Sequence, residues 1–319
     1  MKIIKAYILG LSKTLSSFGL TTIMYVFTLI IGLIIAFPFK SALTKVANFS
    51  MSPPILLQDF NYTVYEDLMR NYGDALKPFV QIIFWVGLAY YIFSVFIAGG
   101  IFNILHNEKN NFSIKSFFEG SGKYFYRFLR LAGIVIILNI VIAFVIYIPL
   151  GMVFDSVSET VESEASLFYI GLGGVLLHLL LIILVLIVSD YTKIKLVTEE
   201  TTKVFRTFWQ SIKFTFRYIH NTYSLYMMLL IFPLLLMVVY YFVENSIGMT
   251  SGITILIMFL VQQLFVWLRQ FSKVWNYSSQ LSYHNNYIQP KIEKALPKPT
   301  EEFDLKDLED DIPNSDLIA

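Results

Sequence analysis

The chain has no cysteine, which removes disulfide bridges and thiolate metal sites at once. Histidine is nearly as scarce, with four in 319 residues, too scattered for an imidazole cluster. Charge is scarce too. Only 15% of residues are charged, 56% are hydrophobic and the mean hydropathy is +0.64, which excludes an ordinary water-soluble monomer. There is no Gly-x-Ser-x-Gly, His-Glu-x-x-His, phosphate-binding glycine loop or metal-spaced acidic pair within or beside the apolar runs. The histidines at 106, 178, 220 and 284 have no evident Ser or Asp partner for nucleophilic catalysis. The expectation is a protein that is not an enzyme and takes no cofactor, metal or nucleic acid. No cleavable signal peptide is expected either, because Lys2, Lys5 and Lys13 thread the first apolar residues.

What is present is apolar length. Six stretches of at least 20 residues carry no Asp, Glu, Lys or Arg, and each is long enough to cross a hydrocarbon core of about 30 Å. In lipid every backbone amide needs a partner, so such runs read as helices. The spacing predicts an all-α, polytopic membrane bundle with spans at 19–39, 79–102, 131–154, 168–188, 223–243 and 249–268. Residues 1–288 form this membrane domain.

Lysine and arginine distribute unevenly between its connections. Segments 1–18, 103–130, 189–222 and 269–319 hold 3, 5, 6 and 6 of them, whereas 40–78, 155–167 and 244–248 hold 4, 0 and 0. The positive-inside rule then places the base-rich side and both termini in the cytoplasm, in a multi-pass protein of the cell inner membrane. On the other side only segment 40–78 is long enough to fold, either as a cap lying over the bundle or as a ligand-binding lid. Ser52-Pro53-Pro54 there disfavours a continuous helix.

A threefold pattern runs through the base-rich segments. Ile4, Ile8, Leu11, Leu15 and Phe18 fall on one helical face, and the same spacing recurs at Phe205, Trp209, Ile212, Phe216 and Ile219. Before the third span it appears as Phe117, Ser121, Tyr124, Phe128 and Leu131. Three amphipathic helices are predicted, each leading into one of three pseudo-repeated pairs of spans. The second and third also match residue by residue: Phe118-x-x-Ser121-x-Lys123-x-x-Tyr126-Arg127-Phe128 lies over Phe208-x-x-Ser211-x-Lys213-x-x-Phe216-Arg217-Tyr218. Lys123, Arg127, Arg206, Lys213 and Arg217 become candidates for contact with anionic inner-leaflet lipid headgroups, beside aromatic residues that dip below the phosphates. Equally, these helices pack beneath the bundle as structural elbows, and the two readings are compatible.

Within the spans, polar residues are few. Asn139, His178 and Gln262 are candidates for the bundle interior, joined by Gln81 and Gln263, and their simplest role is an interhelical hydrogen bond. Small residues at Ala98-Gly99-Gly100 and at Gly171, Gly173 and Gly174 read as close-packing sites, and Pro233 as a kink. Residues 289–319 read as a disordered acidic tail, with eight acids against one lysine over 300–319, and as a possible docking peptide for a basic protein partner.

The paired motifs Phe118-x-x-Ser121-x-Lys123 and Phe208-x-x-Ser211-x-Lys213, each leading into a span, resemble prokaryotic six-helix integral membrane families of unknown function. They also resemble the membrane domain that accompanies some glycerophosphodiester phosphodiesterases. The likeness covers residues 1 to about 288 and implies a helical membrane domain without the soluble catalytic barrel. Two functions remain open at this point. One is a non-enzymatic scaffold that anchors partners at the membrane; the other is a transporter or channel subunit for a lipid or apolar solute, with a path near Asn139, His178 and Gln262.

Overall fold

Uncharged apolar runs become helices here, and the helices continue well past the runs that nucleate them. The computed structural model describes residues 2–47, 55–56, 60–107, 112–158, 164–247 and 251–288. Among them are eight α-helices and no strand: α1 (Lys2–Ser16), α2 (Phe18–Ala47), α3 (Tyr62–His106), α4 (Ile114–Ser158), α5 (Glu164–Thr198), α6 (Val204–Arg217), α7 (Ile219–Ser246) and α8 (Gly252–Tyr283). A π-helical turn, His284–Ile288, extends α8. Six of these helices are long and apolar enough to span a membrane, so the chain is built as a multi-pass membrane protein. The acidic tail 289–319 lies outside the described residues, as does Ser52-Pro53-Pro54.

Two elements differ from the sequence expectation. Residues 62–78 are neither cap nor loop: they are the first turns of α3, which runs 45 residues, or about 67 Å at 1.5 Å per residue. Asn61 starts that helix by accepting hydrogen bonds from the Thr63 and Val64 amides at 3.0 and 3.3 Å. The segment before the third span is not a separate surface helix either, since α4 passes through it without a break. Before the first and fifth spans the chain does break, at Ser17 and at Tyr218, and both elbows use the same local device. The Ser17 carbonyl accepts the Leu20 amide and the Tyr218 carbonyl accepts the Asn221 amide, each three residues on and each at 3.0 Å.

Burial is concentrated at one end of the bundle, the end rich in lysine and arginine. Here α1 lies across the second half of α8, α3 crosses α4, and α6 packs on α5. Phe102, Leu105, Tyr124, Ile187, Tyr191 and Ile194 are all fully buried in this body. Away from it the spans are bare, with no more than 17% of any span's most apolar window buried. Lipid tails are as apolar as leucine, so helices in a bilayer associate through close backbone approach. Small residues mark the crossings accordingly. Gly99 and Gly100 of α3 meet Gly120 and Ser121 of α4, and a Cβ on Gly99 would stand 3.1 Å from the Gly120 carbonyl oxygen. On α1 the buried face is Ala6, Gly10 and Thr14, one small residue per turn, with Gly10 seated on the Ser279 backbone of α8. Trp275 closes that crossing by donating its ring N–H to the Tyr7 carbonyl at 3.1 Å. In the far half of α5, Gly174 touches Leu150 whereas Gly173 faces open space. Pro233 sits inside α7, which continues on both sides of it.

Candidate functional site

Helix α6 places its polar and small residues inward. Val204, Thr207, Phe208, Ser211, Phe214 and Thr215 are buried, a spacing of three and four that makes one face. Two of the three inner hydroxyls are satisfied by their own helix: Thr207 donates to the Lys203 carbonyl at 3.0 Å and Ser211 to the Thr207 carbonyl at 2.9 Å, while the buried Thr215 hydroxyl has no partner among the described residues. The outer face holds Phe205, Trp209 and Phe216, which are 73%, 56% and 59% exposed. Arg206, Lys213 and Arg217 are exposed alongside them, and among the described residues no carboxylate lies within ion-pair reach of the three. Phe208 and Phe214, by contrast, are turned into the core.

Lys123 and Arg127, the other two headgroup candidates, are held by protein. Lys123 donates to the Glu200 carboxylate at 2.6 Å and Arg127 to the Glu200 carbonyl at 3.1 Å. Glu200 lies just beyond the end of α5 with φ of 47°, a left-handed conformation that a non-glycine residue adopts only when neighbours fix it. The hydrogen bond from Lys123 holds its carboxyl below the usual range, with the Arg127 charge adding to the effect. Both cations also flank the Tyr124 ring, at 5.3 and 5.5 Å from its centre.

Asn139, His178 and Gln262 do not converge. Asn139 donates to the Val135 carbonyl of its own helix at 2.8 Å. His178 and the Tyr147 hydroxyl share a bond of 2.9 Å between α5 and α4. Gln262 donates to the Tyr240 hydroxyl at 3.2 Å between α8 and α7, while its neighbour Gln263 accepts from Tyr25 of α2 at 2.9 Å. Each is a local tie between neighbouring turns or helices.

The densest buried polar group lies elsewhere, on the last turns of α5 and the second half of α8. Lys193 and Asp190 form an ion pair at 2.9 Å, with side chains 19% and 8% exposed. Gln280 donates to the second Asp190 oxygen at 3.3 Å and to Asn276 at 2.7 Å. The Lys193 ammonium also stands 5.5 Å over the Tyr277 ring. Beside this group is a cavity of about 280 Å³ enclosed by α2, α3, α4, α5 and α8. Its polar lining includes Lys193, Lys273, Gln270 and Thr28 with Tyr90, Tyr91, Ser94, Ser189 and Tyr277, and its apolar lining includes Phe27, Ile97, Leu131, Val135 and Leu186. Gln270 donates to the Thr28 hydroxyl at 3.1 Å, and its buried carbonyl oxygen has no hydrogen-bond partner among the described residues.

None of Asn139, His178 and Gln262 lines this cavity. Reading spans by charge-free length ends the fourth at Val188 and assigns Asp190 and Lys193 to a connection. The signal that retrieves them is periodicity: Ile187, Tyr191 and Ile194 keep the buried face going, and the charged pair at i and i+3 sits within it. No family model, curated protein or solved structure matches the chain.

Proposed function

We propose that this protein is a non-enzymatic organiser of the cell inner membrane. Its base-rich body and both termini face the cytoplasm, its α6 face rests in anionic inner-leaflet lipid, and its acidic tail 300–319 serves as a contact for a basic protein partner. One observation carries the reading: α6 buries Thr207 and Ser211 while presenting Phe205, Trp209 and Phe216 outward beside Arg206, Lys213 and Arg217. Aromatic rings at the headgroup boundary with cations flanking them are what an interfacial helix needs. Each basic residue near an anionic surface adds about 1 kcal/mol.

The competing function, a transporter or channel subunit with a path near Asn139, His178 and Gln262, has less behind it. Those residues bond separately and locally. The N139L/H178L/Q262L variant is accordingly expected to leave function intact, whereas loss of function in a normally folded triple variant would favour transport.

The absence of cysteine makes the lipid contact directly measurable, since every single-cysteine variant carries one label. Nitroxide labels at successive positions of α6, in vesicles containing phosphatidylglycerol, are expected to show oxygen-collision maxima at 205, 209 and 216 and minima at 207, 211 and 214. A flat profile, or one dominated by water-soluble relaxants at 205 and 209, would overturn the interfacial assignment.

A further inference from the structure

The cavity at the polar ends of α5 and α8 plays no part in the proposed organiser role, yet three independent features give it a ligand chemistry. The first is charge. Lys273 faces the cavity with no hydrogen bond or ion pair among the described residues, and Lys193 has only Asp190 as a carboxylate partner. A cation beside hydrocarbon-facing walls is costly unless a counter-charge reaches it. The second is an unmet acceptor. Gln270 is 3% exposed, and its carbonyl oxygen has no donor among the described residues, although the amide nitrogen of the same side chain is held by Thr28. A hydroxyl of an incoming molecule would satisfy it. The third is division of the walls. The lysines and Gln270 come from α5 and α8, whereas α2, α3 and α4 bring Phe27, Ile97, Leu131 and Val135 to the remaining walls, among the hydroxyls of Thr28, Tyr90, Tyr91 and Ser94.

We propose that this cavity binds one anionic amphiphile, with its phosphate or carboxylate on Lys273 and Lys193, a hydroxyl on Gln270, and the start of its hydrocarbon chain between Val135 and Leu186. A volume of about 280 Å³ holds a headgroup and the first carbons of a chain. Small-molecule sites begin near 300 Å³, so the remaining hydrocarbon extends between the spans into the bilayer. The site goes beyond the organiser reading and fails or stands separately from it, because α6 contributes none of its residues.

Native mass spectrometry of the full chain in detergent tests this, with phosphatidylglycerol and phosphatidylcholine as probes. One phosphatidylglycerol is expected to remain bound with about tenfold preference over phosphatidylcholine. K273Q should abolish the preference. V135W, which fills the apolar part, should remove the bound lipid altogether, while R206Q/K213Q/R217Q on the α6 face should keep it. Excess inorganic phosphate should leave the lipid in place. Equal retention of the two lipids would overturn the proposal, as would selectivity that survives K273Q or depends on the α6 triple variant. If phosphate strips the lipid, the site takes a free anion and the amphiphile is wrong; if folded V135W still binds the lipid, the hydrocarbon chain does not lie between Val135 and Leu186 and the proposal is overturned. A melting curve accompanies each variant, and K273Q, on a partly exposed side chain, decides the matter should V135W not fold.

Discussion

The two ends of this bundle obey different packing rules. At the base-rich end α1, α3, α4, α5, α6 and α8 enclose a core containing Asp190, Gln280, Ser278, Ser279 and Thr192, all buried. At the other end Phe144, Val145, Met152, Leu235 and Phe242 are exposed, and few side chains touch a neighbouring helix. In the placement proposed above, water and headgroups surround the first end, so burying apolar surface there drives folding as in a soluble domain, at roughly 25 cal/mol per Å². Hydrocarbon surrounds the second, where bare leucine and phenylalanine cost nothing and close packing adds little. One chain is thus a small packed body, its apolar core threaded with buried polar residues, held on six apolar posts.

Breaking the ion pair should separate the two ends most sharply. D190N leaves the Lys193 charge without its carboxylate, and the expected loss is about 3 kcal/mol, the lower end of the range for buried pairs because Lys193 is partly exposed. D190N/K193M should recover most of it. The comparable change within the lipid-facing spans, H178L, removes only the Tyr147 bond and should cost about 0.6 kcal/mol. Thermal unfolding of the full chain in one detergent compares them directly, and equal losses would erase the distinction between the ends.

Glycine substitutions sharpen the same contrast at a smaller scale. G10A drives a methyl into the Ser279 backbone and should cost about 1–3 kcal/mol. G173A meets nothing and should be neutral, or stabilising by up to about 1 kcal/mol through reduced chain entropy. The smallest effect is expected at Glu200. Its folded pKa is depressed, so the Lys123–Glu200 tie contributes above the ordinary carboxylate pKa and fades as pH falls from about 4 through the depressed value. The difference in melting temperature between wild type and E200Q should therefore be present at pH 7 and shrink toward pH 3. A difference that grows on acidification would contradict the clamp.

The lipid environment also decides what could be read from the sequence. The six spans were legible because uncharged length is a direct requirement of the bilayer, and each expected span lies within an observed helix apart from the start of the sixth, where 249 and 250 fall outside the described residues and Ser251 caps the helix. The helix ends were not. Lys193 and Lys195 interrupt the hydropathy of α5, yet Ile194, Leu196 and Val197 remain buried to its last turn, so charge marked a connection where the chain keeps its helix. The helix of the sixth span runs on through Arg269, Lys273, Trp275 and Tyr277, a continuation legible in the sequence. The burial of this continuation was not, because the partners, α1 and α5, lie far away in sequence.

Most instructive are the faces of α1 and α6. Ile4, Ile8, Leu15, Phe205, Trp209 and Phe216 carry the helical period, yet they point outward, while Ala6, Gly10, Thr14, Thr207 and Ser211 make the contacts. Apolar periodicity identifies the face that meets an apolar medium, and in a bilayer that medium need not be protein. The cavity with Lys273 and Gln270 was hidden for the same reason that Asp190 was: Lys193, Gln270 and Lys273 lie beyond the charge-free windows that define spans, although Thr28 lies within one.

That the packed body is the cytoplasmic end is open to a direct reading on whole cells, because the chain carries no cysteine of its own. A membrane-impermeant maleimide should label S158C, at the far end of α4, in intact cells, and N107C, at the base-rich end of α3, only after permeabilisation. Labelling of N107C in intact cells with protection of S158C would turn the protein over and remove the inner-leaflet role of α6.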